Sequence, residues 1–178
     1  SVFSDDNYVT NPWFVVSKFI NNTGRKRLIS SIAGKYNFTN WLYASVRLGY
    51  DHENDRYFTV TPTGTNFTIN SANQSGQLNN LSNAQTTDMN IDGIVGASHQ
   101  LFRNLELDAI IGGNLRKDNF ESIGINGNYF VVPGLYTPSN VVSFGRSYGY
   151  SGKEVHSGYY SFDFNYMKFL TLSTTGRY

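Results

Sequence analysis

The chain has no cysteine, which excludes a disulfide framework and any thiolate metal site. It has only three histidines, His52, His99 and His156, far apart in sequence. Charge is nearly balanced, with 14 basic against 13 acidic residues and a net +1, so nothing favours a nucleic-acid partner. No apolar run approaches the roughly 18 residues of a transmembrane helix. Hydrophobic residues make up 39% of the chain, below the usual roughly 45–50% that also counts glycine. The first residue is Ser1, with no secretory-leader pattern. The expectation is therefore a processed chain or an internal piece of a longer one.

Aromatics, by contrast, are abundant at 16%. Few apolar residues with many aromatics suits a membrane barrel, whose strands need apolar side chains at alternate positions and aromatic girdles at two interfaces. Residues 25–51, RKRLISSIAGKYNFTNWLYASVRLGYD, carry that pattern. Even positions give Leu28, Ile32, Tyr36 and Phe38, then Leu42, Val46, Leu48 and Tyr50; odd positions include Lys35, Asn37, Arg47 and Asp51. Alternate strand residues point to opposite faces, so two strands share one apolar, uncharged face. The short link at Thr39-Asn40 predicts an antiparallel hairpin. Each strand exceeds the roughly 9–11 tilted residues that cross a bilayer.

Two further hairpins repeat the pattern. In residues 87–116, Met89, Ile91, Val95, Leu105, Leu107 and Ile111 oppose Asn90, Asp92, Glu106, Asp108 and Asn114. In residues 153–178, Tyr160, Phe162, Phe164, Leu170 and Leu172 oppose Tyr159, Asp163, Asn165 and Arg177. The turns are expected near 100–103 and at Met167-Lys168. Lys35, Arg47, Asp92, Asp108 and Asp163 all fall on the polar faces, where they would look into a lumen or onto a plug. Leu28, Ile32, Val46, Leu48, Ile91, Leu107, Phe162 and Phe164 would face lipid. Lys26, His52, Glu154 and His156 break the parity near the ends remote from the turns, and His99 beside a turn. Tyr36, Phe38, Phe164 and Tyr166 are placed at one girdle, Tyr50 and Tyr160 toward the other.

The expected fold is all-β, an antiparallel transmembrane barrel segment forming part of one domain. Residues 1–24 read as loop-like, although Trp13-Phe14-Val15-Val16 should pack on something. Hairpins cover 25–52, 87–116 and 153–178, and long extracellular loops cover 53–86 and 117–152. Short links within hairpins and long links between them match the asymmetry of outer-membrane barrels. Six strands do not close a barrel, which needs about eight. Either residues 1–24 add two strands to make a small complete barrel, or the chain is a slice of a larger one. A soluble carbohydrate-binding sandwich would also alternate, but has no reason to gather its long loops at one end.

The runs RKRLISSIAGKYNFTNWLYASVRLGYD, LELDAIIGGNLRK, NYFVVPGLYTPSN and SGYYSFDFNYMKFLTLSTTGRY, in that order, resemble barrel segments of the SusC/RagA family of TonB-dependent outer-membrane transporters. Asn11-Pro12-Trp13 and Asn21-Asn22-Thr23 fit the segment leading into them. The plug domain with its TonB-contacting segment and the closing strand have no counterpart in these residues. The resemblance implies a mid-barrel slice of a plugged barrel of about 22 strands, a class of outer-membrane transporter. It implies import of oligosaccharides or peptides beneath a SusD-like surface lipoprotein, with the rest of the barrel, the plug, TonB and outer-membrane lipid as partners.

Loop aromatics Tyr57, Phe58, Phe67, Tyr129, Phe130 and Tyr136 can stack on a ligand or cover a partner, with packing among themselves the more ordinary use. No enzymatic constellation stands. Ser98-His99 and His156-Ser157 are adjacent on strands and so face opposite ways. Asp5-Asp6 and Asp51/Glu53/Asp55 could hold calcium, but such carboxylates are usually solvated. The sequons at Asn66 and Asn73 arise from composition, and Gly124-Ile125-Asn126-Gly127 lacks a dinucleotide fingerprint's spacing. No cofactor and no metal site is expected.

Overall fold

A computed structural model of the chain describes residues 10–65 and 76–178. Its elements are a short helix α1 (Pro12–Lys18) and strands β1 (Ile20–Asn37), β2 (Leu42–Thr61), β3 (Gln77–Phe102), β4 (Leu105–Phe130), β5 (Val141–Tyr166) and β6 (Leu170–Arg177). They form one sheet in the order β1-β2-β3-β4-β5-β6. A meander of this kind is a barrel segment. Among the described residues there is no second sheet, and α1 occupies the place where a small barrel would need an extra hairpin, so neither the sandwich nor the eight-stranded barrel is formed by them.

The three turns follow from local chemistry. Thr39 Oγ1 accepts from the Trp41 and Leu42 amides at 3.3 and 3.0 Å, closing a link that takes in residues 38–41. The β3–β4 link is tighter, at Arg103-Asn104. Met167 and Lys168 both have positive φ, 49° and 62°, the geometry of a type I′ turn, whose twist matches that of the strands. β5 and β6 then pair in register from Tyr166↔Leu170 to Tyr159↔Arg177.

The strands run far past their expected ends. Residues 1–24, read as loop, include α1 and the start of β1. Asn11 caps the helix by accepting from the Trp13 amide at 2.9 Å, and Pro12 begins it. Of the Trp13–Val16 run only Phe14 packs, edge-on against Phe19 with ring centroids 6.4 Å apart, while Trp13 is 83% exposed. The expected loop 53–86 is mostly strand, since β2 continues to Thr61 and β3 starts at Gln77; likewise β4 reaches Phe130 and β5 starts at Val141, within the expected loop 117–152. β3, β4 and β5 each have 26 residues, a contour of roughly 85 Å at about 3.3 Å per residue. A bilayer takes less than half of that. Polar residues on both faces were read as loop, but a strand wetted on both sides needs no apolar face at all.

The chain packs as two compact units. The turn-side unit holds residues 27–52, 86–119 and 152–178; the loop-side unit holds 1–26, 53–85 and 120–151. Among the described residues the three buried hydrophobic ones, Val60, Leu78 and Phe130, belong to the loop-side unit, where Phe58, Leu81, Ile125, Tyr136 and Val141 pack against them.

Candidate functional site

In the turn-side unit the parity holds. One face carries the apolar stripe, residues 28–38, 42–50, 89–97, 105–115, 158–166 and 170–178 at alternate positions. Leu28 is 59% and Ile32 68% exposed, Val46 and Leu48 are also exposed, and Ile91, Leu107, Phe162 and Phe164 are half-buried by strand neighbours. Nothing in this unit covers them. His99, which breaks the parity, sits with its ring 5.3 Å from that of Trp41, and His52 meets Thr87 Oγ1 at 2.9 Å while stacking on Tyr50.

The other face is a lattice of polar groups. Lys35 sits 4.0 Å above the Tyr43 ring, a cation–π contact. Asp92 accepts from the Tyr159 hydroxyl at 3.0 Å and lies 3.5 Å from Asn114 Nδ2, which also donates to Asn90 at 2.8 Å. Asp108 accepts from Asn165 at 3.3 Å, and Asn165 accepts from Thr171 at 2.7 Å, linking β4, β5 and β6. Arg27 forks onto Asp51, bidentate geometry that fixes the β1–β2 register. Arg47 and Asp163 lie on this face at exposed and half-buried positions. Together Asp51, Asp88, Asn90, Asn114, Arg116 and Arg177 help line a trough of about 580 Å³. The alternation of the sequence puts Lys35, Arg47, Asp92, Asp108, Asp163 and Tyr159 on this face; the hydrogen bond from Tyr159 to Asp92 is what the structure adds.

Two glycines make the lattice possible. The Tyr43 ring lies over Gly96, where any Cβ would overlap it, and a Cβ at Gly112 would stand 2.5 Å from the Tyr159 ring. Each tyrosine thus lies flat on the sheet instead of projecting from it.

The loop-side unit is built differently. Arg25 forks onto Asp55 at 2.7 and 2.8 Å and reaches Glu53 at 3.3 Å. The Arg25 hydrogen bonds, helped by the Tyr57 hydroxyl and opposed by burial, hold the Asp55 carboxyl below the ordinary aspartate range. The carboxylates that could have held calcium are thus engaged by arginines, and among the described residues no group of three metal-ligating side chains occurs. Asp5, Asp6, Phe67 and the sequons at Asn66 and Asn73 lie outside the described residues. Near the strand ends, Asn140 is buried and organises the β4–β5 connection: its carboxamide accepts from the Val132 amide at 3.0 Å and donates to the Val132 and Leu135 carbonyls at 2.8 and 2.6 Å.

Of the five described loop aromatics that could stack on a ligand or pack among themselves, three pack together. Phe130 is 4% exposed and packs edge-on against Tyr136 at 5.1 Å, with Phe58 against the same cluster. Phe130 therefore cannot stack on a sugar ring in this structure: it closes the only buried apolar cluster among the described residues. Tyr57 is tied to Asp55 at 3.2 Å, and Tyr129, at φ 62°, remains accessible. A concavity of about 450 Å³ that the sequence did not reveal is lined by Asn79, Asn126, Asn128, Ser143 and Phe144. Uncharged carboxamides around one aromatic ring can meet amide or hydroxyl groups without burying a charge.

No protein-family model and no curated protein matches the chain. Solved structures do. A chain of the RagAB peptide transporter superposes with a TM-score of 0.76 at 13% identity over 93% of this chain. Chains of the RagAB peptide importer in its open-open and closed-closed states give 0.72 and 0.70, at 14% and 12% identity, over 93% and 88%. In every case this chain spans 18% of the length of the neighbour. At such identities the likeness is one of fold.

Proposed function

We propose that this chain is part of the barrel wall of an outer-membrane, TonB-dependent importer of the SusC/RagA kind, a transport protein without catalytic activity. The observation that carries the reading is the turn-side apolar stripe. Leu28, Ile32, Val46 and Leu48 stand exposed on one face while hydrogen bonds and ion pairs crowd the other. In water that face would be a large adhesive patch; in a bilayer it is simply solvated. Leu28, Ile32, Val46, Leu48, Ile91, Leu107, Phe162 and Phe164 then touch acyl chains. Lys35, Arg47, Asp92, Asp108 and Asp163 look inward, toward a plug or a hydrated conduit.

The import of peptides or oligosaccharides, a SusD-like lipoprotein lid and TonB coupling belong to this proposal. The neighbours are named as peptide transporters, and the carboxamide-lined concavity suits either substrate class. The test uses the complete transporter in liposomes, with nitroxides placed one at a time at Leu28, Val46, Leu107 and Phe162 and at Lys35 and Asp108. Dissolved oxygen, which concentrates in lipid, should relax the first group, and a water-soluble nickel chelate the second. Equal access of the chelate to Val46 and Lys35 would sink the membrane assignment. Uptake of labelled peptide and oligosaccharide pools, with TonB present and absent, separates the substrate classes.

A further inference from the structure

In the loop-side unit, the end of the β4–β5 hairpin is apolar where a connection between strands is ordinarily polar. No charged residue stands between Glu121 and Arg146. Val131, Val132 and Leu135, in the connection itself, and Val142, just inside β5, expose between 48% and 67% of their surface. The same stretch contributes Phe130 and Tyr136 to the buried cluster, so these four form a second, outward-facing group. They amount to roughly 350 Å² of apolar surface, a size at which a patch on a monomer is often functional. That is the centre of a standard interface, which takes about 800 Å² from each partner.

The connection is also held in one shape. Val132-Pro133-Gly134-Leu135 has the signature of a type II turn: proline second, Gly134 third at φ 80°, and the Leu135 amide 3.4 Å from the Val132 carbonyl. Pro138–Asn140 add one turn of 3₁₀ helix. Asn140 ties the turn to the strand end, because its buried carboxamide holds Val132 and Leu135 while its carbonyl accepts from the Val131 amide at 2.8 Å. Tyr129 completes the frame. Its φ of 62° is strained for a bulky residue, and its amide donates to the Gly76 carbonyl at 3.2 Å. A connection ordered before it binds loses little conformational freedom on binding.

We infer that Val131, Val132, Leu135 and Val142 form a rigid docking knob for a separate protein subunit that offers an uncharged apolar hollow. That subunit is the surface lipoprotein of the barrel-wall reading, on which the inference rests. Other occupants fit worse. Small ligands sit in concave sites, whereas a hairpin end projects. A bilayer would leave the irregular backbone of residues 131–140 without polar partners. A second copy would have to supply the hollow itself, and the loop-side concavity beside Asn79, Asn126 and Asn128 is walled by carboxamides. An anionic partner would need cations, which residues 122–145 lack.

The test uses the complete transporter with its surface lipoprotein, assembled in the outer membrane. A benzophenone side chain at Val132 or Leu135 should cross-link to the lipoprotein on irradiation. One at Glu121, exposed on β4 of the same unit, should not. In mild detergent, Val132→Asp with Leu135→Asp should weaken lipoprotein retention at least about tenfold, as the loss of a central anchor does. Asn140→Ala leaves the exposed side chains in place and should weaken it severalfold, chiefly through faster dissociation. Glu121→Gln should leave it unchanged. Should the double variant fail to assemble, the cross-links decide alone. Cross-links to a second copy of the chain, to lipid, or to nothing overturn the inference, as does wild-type retention by the double variant. Oxygen accessibility at Val46 separates the two levels. Its loss removes the barrel-wall reading, whereas intact accessibility without lipoprotein cross-links removes only the knob.

Discussion

The turn-side and loop-side units invert the usual relation between sequence and burial. The turn-side unit has the regular apolar stripes, yet none of the buried hydrophobic residues among those described belongs to it. The loop-side unit has the Asn-, Thr- and Asp-rich stretches, yet contains the small core of Val60, Leu78 and Phe130. A chain folding in water throughout would show the reverse. On the proposed barrel-wall reading the difference corresponds to two solvents: loop-side residues exclude water from one apolar cluster, as in any soluble protein, whereas the turn-side stripe would meet lipid.

Breaking that contrast most severely requires a charge on the stripe. Ile32 and Ser31 are neighbours on β1 whose side chains leave opposite faces. Ile32→Arg, near the middle of its stripe, should cost about 2–4 kcal/mol if that face meets lipid. Ser31→Arg, on the polar face, should stay within about 0.5 kcal/mol. Urea titration of the complete barrel folding into vesicles measures both. Equal effects would mean that the two faces share a solvent.

A smaller, local effect is expected from the loop-side core. Leu78→Ala should cost about 2 kcal/mol, toward the low end for such truncations, because a three-residue cluster relaxes easily. Hydrogen exchange should then accelerate at the ends of β2, β3 and β4 while turn-side amides keep their protection. Loss of protection throughout would show that the units do not behave separately.

Next in size is crowding under the tyrosines. Gly96→Ala forces a Cβ into the Tyr43 ring and should destabilise by roughly 1 kcal/mol, the low end of overpacking costs. Adding Tyr43→Ala should restore part of it, since residues in contact do not act additively. Gly93→Ala, with open space around it, should show no such coupling to Tyr43.

The turn-side unit was legible because period-two alternation is a global signal: slipping residues 25–51 by one position would move Arg47 onto the apolar face. Lys35, Asp92 and Asp108 were placed by the same rule. The loop-side unit was illegible because a strand polar on both faces leaves no periodic trace, and DHENDRY reads as a loop until Arg25 is seen to fork onto Asp55. Its faint signals were Phe58 and Val60, two apart and therefore on one face, and Leu78 in a polar run. For Phe130 the sequence leaves ligand stacking and self-packing open, and only its place at a strand end beside Tyr136 puts it in the core. The glycines divide likewise, because sequence does not distinguish Gly96 beneath a ring from Gly93 beneath open space.

The gentlest probe of the loop-side unit is pH. Asp55 titrates below the ordinary aspartate range because Arg25 binds its ionised form. A carboxyl depressed in the folded state favours folding above its unfolded value, about 3.9, and this contribution fades as pH falls through the lower folded value. Loop-side protection should therefore be flat from neutral pH down to about pH 5 and decline below that. Asp55→Asn should remove part of the acid-side decline and lower protection modestly at neutral pH, since Arg25 is largely exposed and exposed pairs contribute little. Hydrogen exchange at β1 and β2 amides across that pH range reads both effects. An unchanged acid limb in Asp55→Asn would transfer the pH sensitivity to other carboxylates and leave the Arg25 fork a matter of register alone.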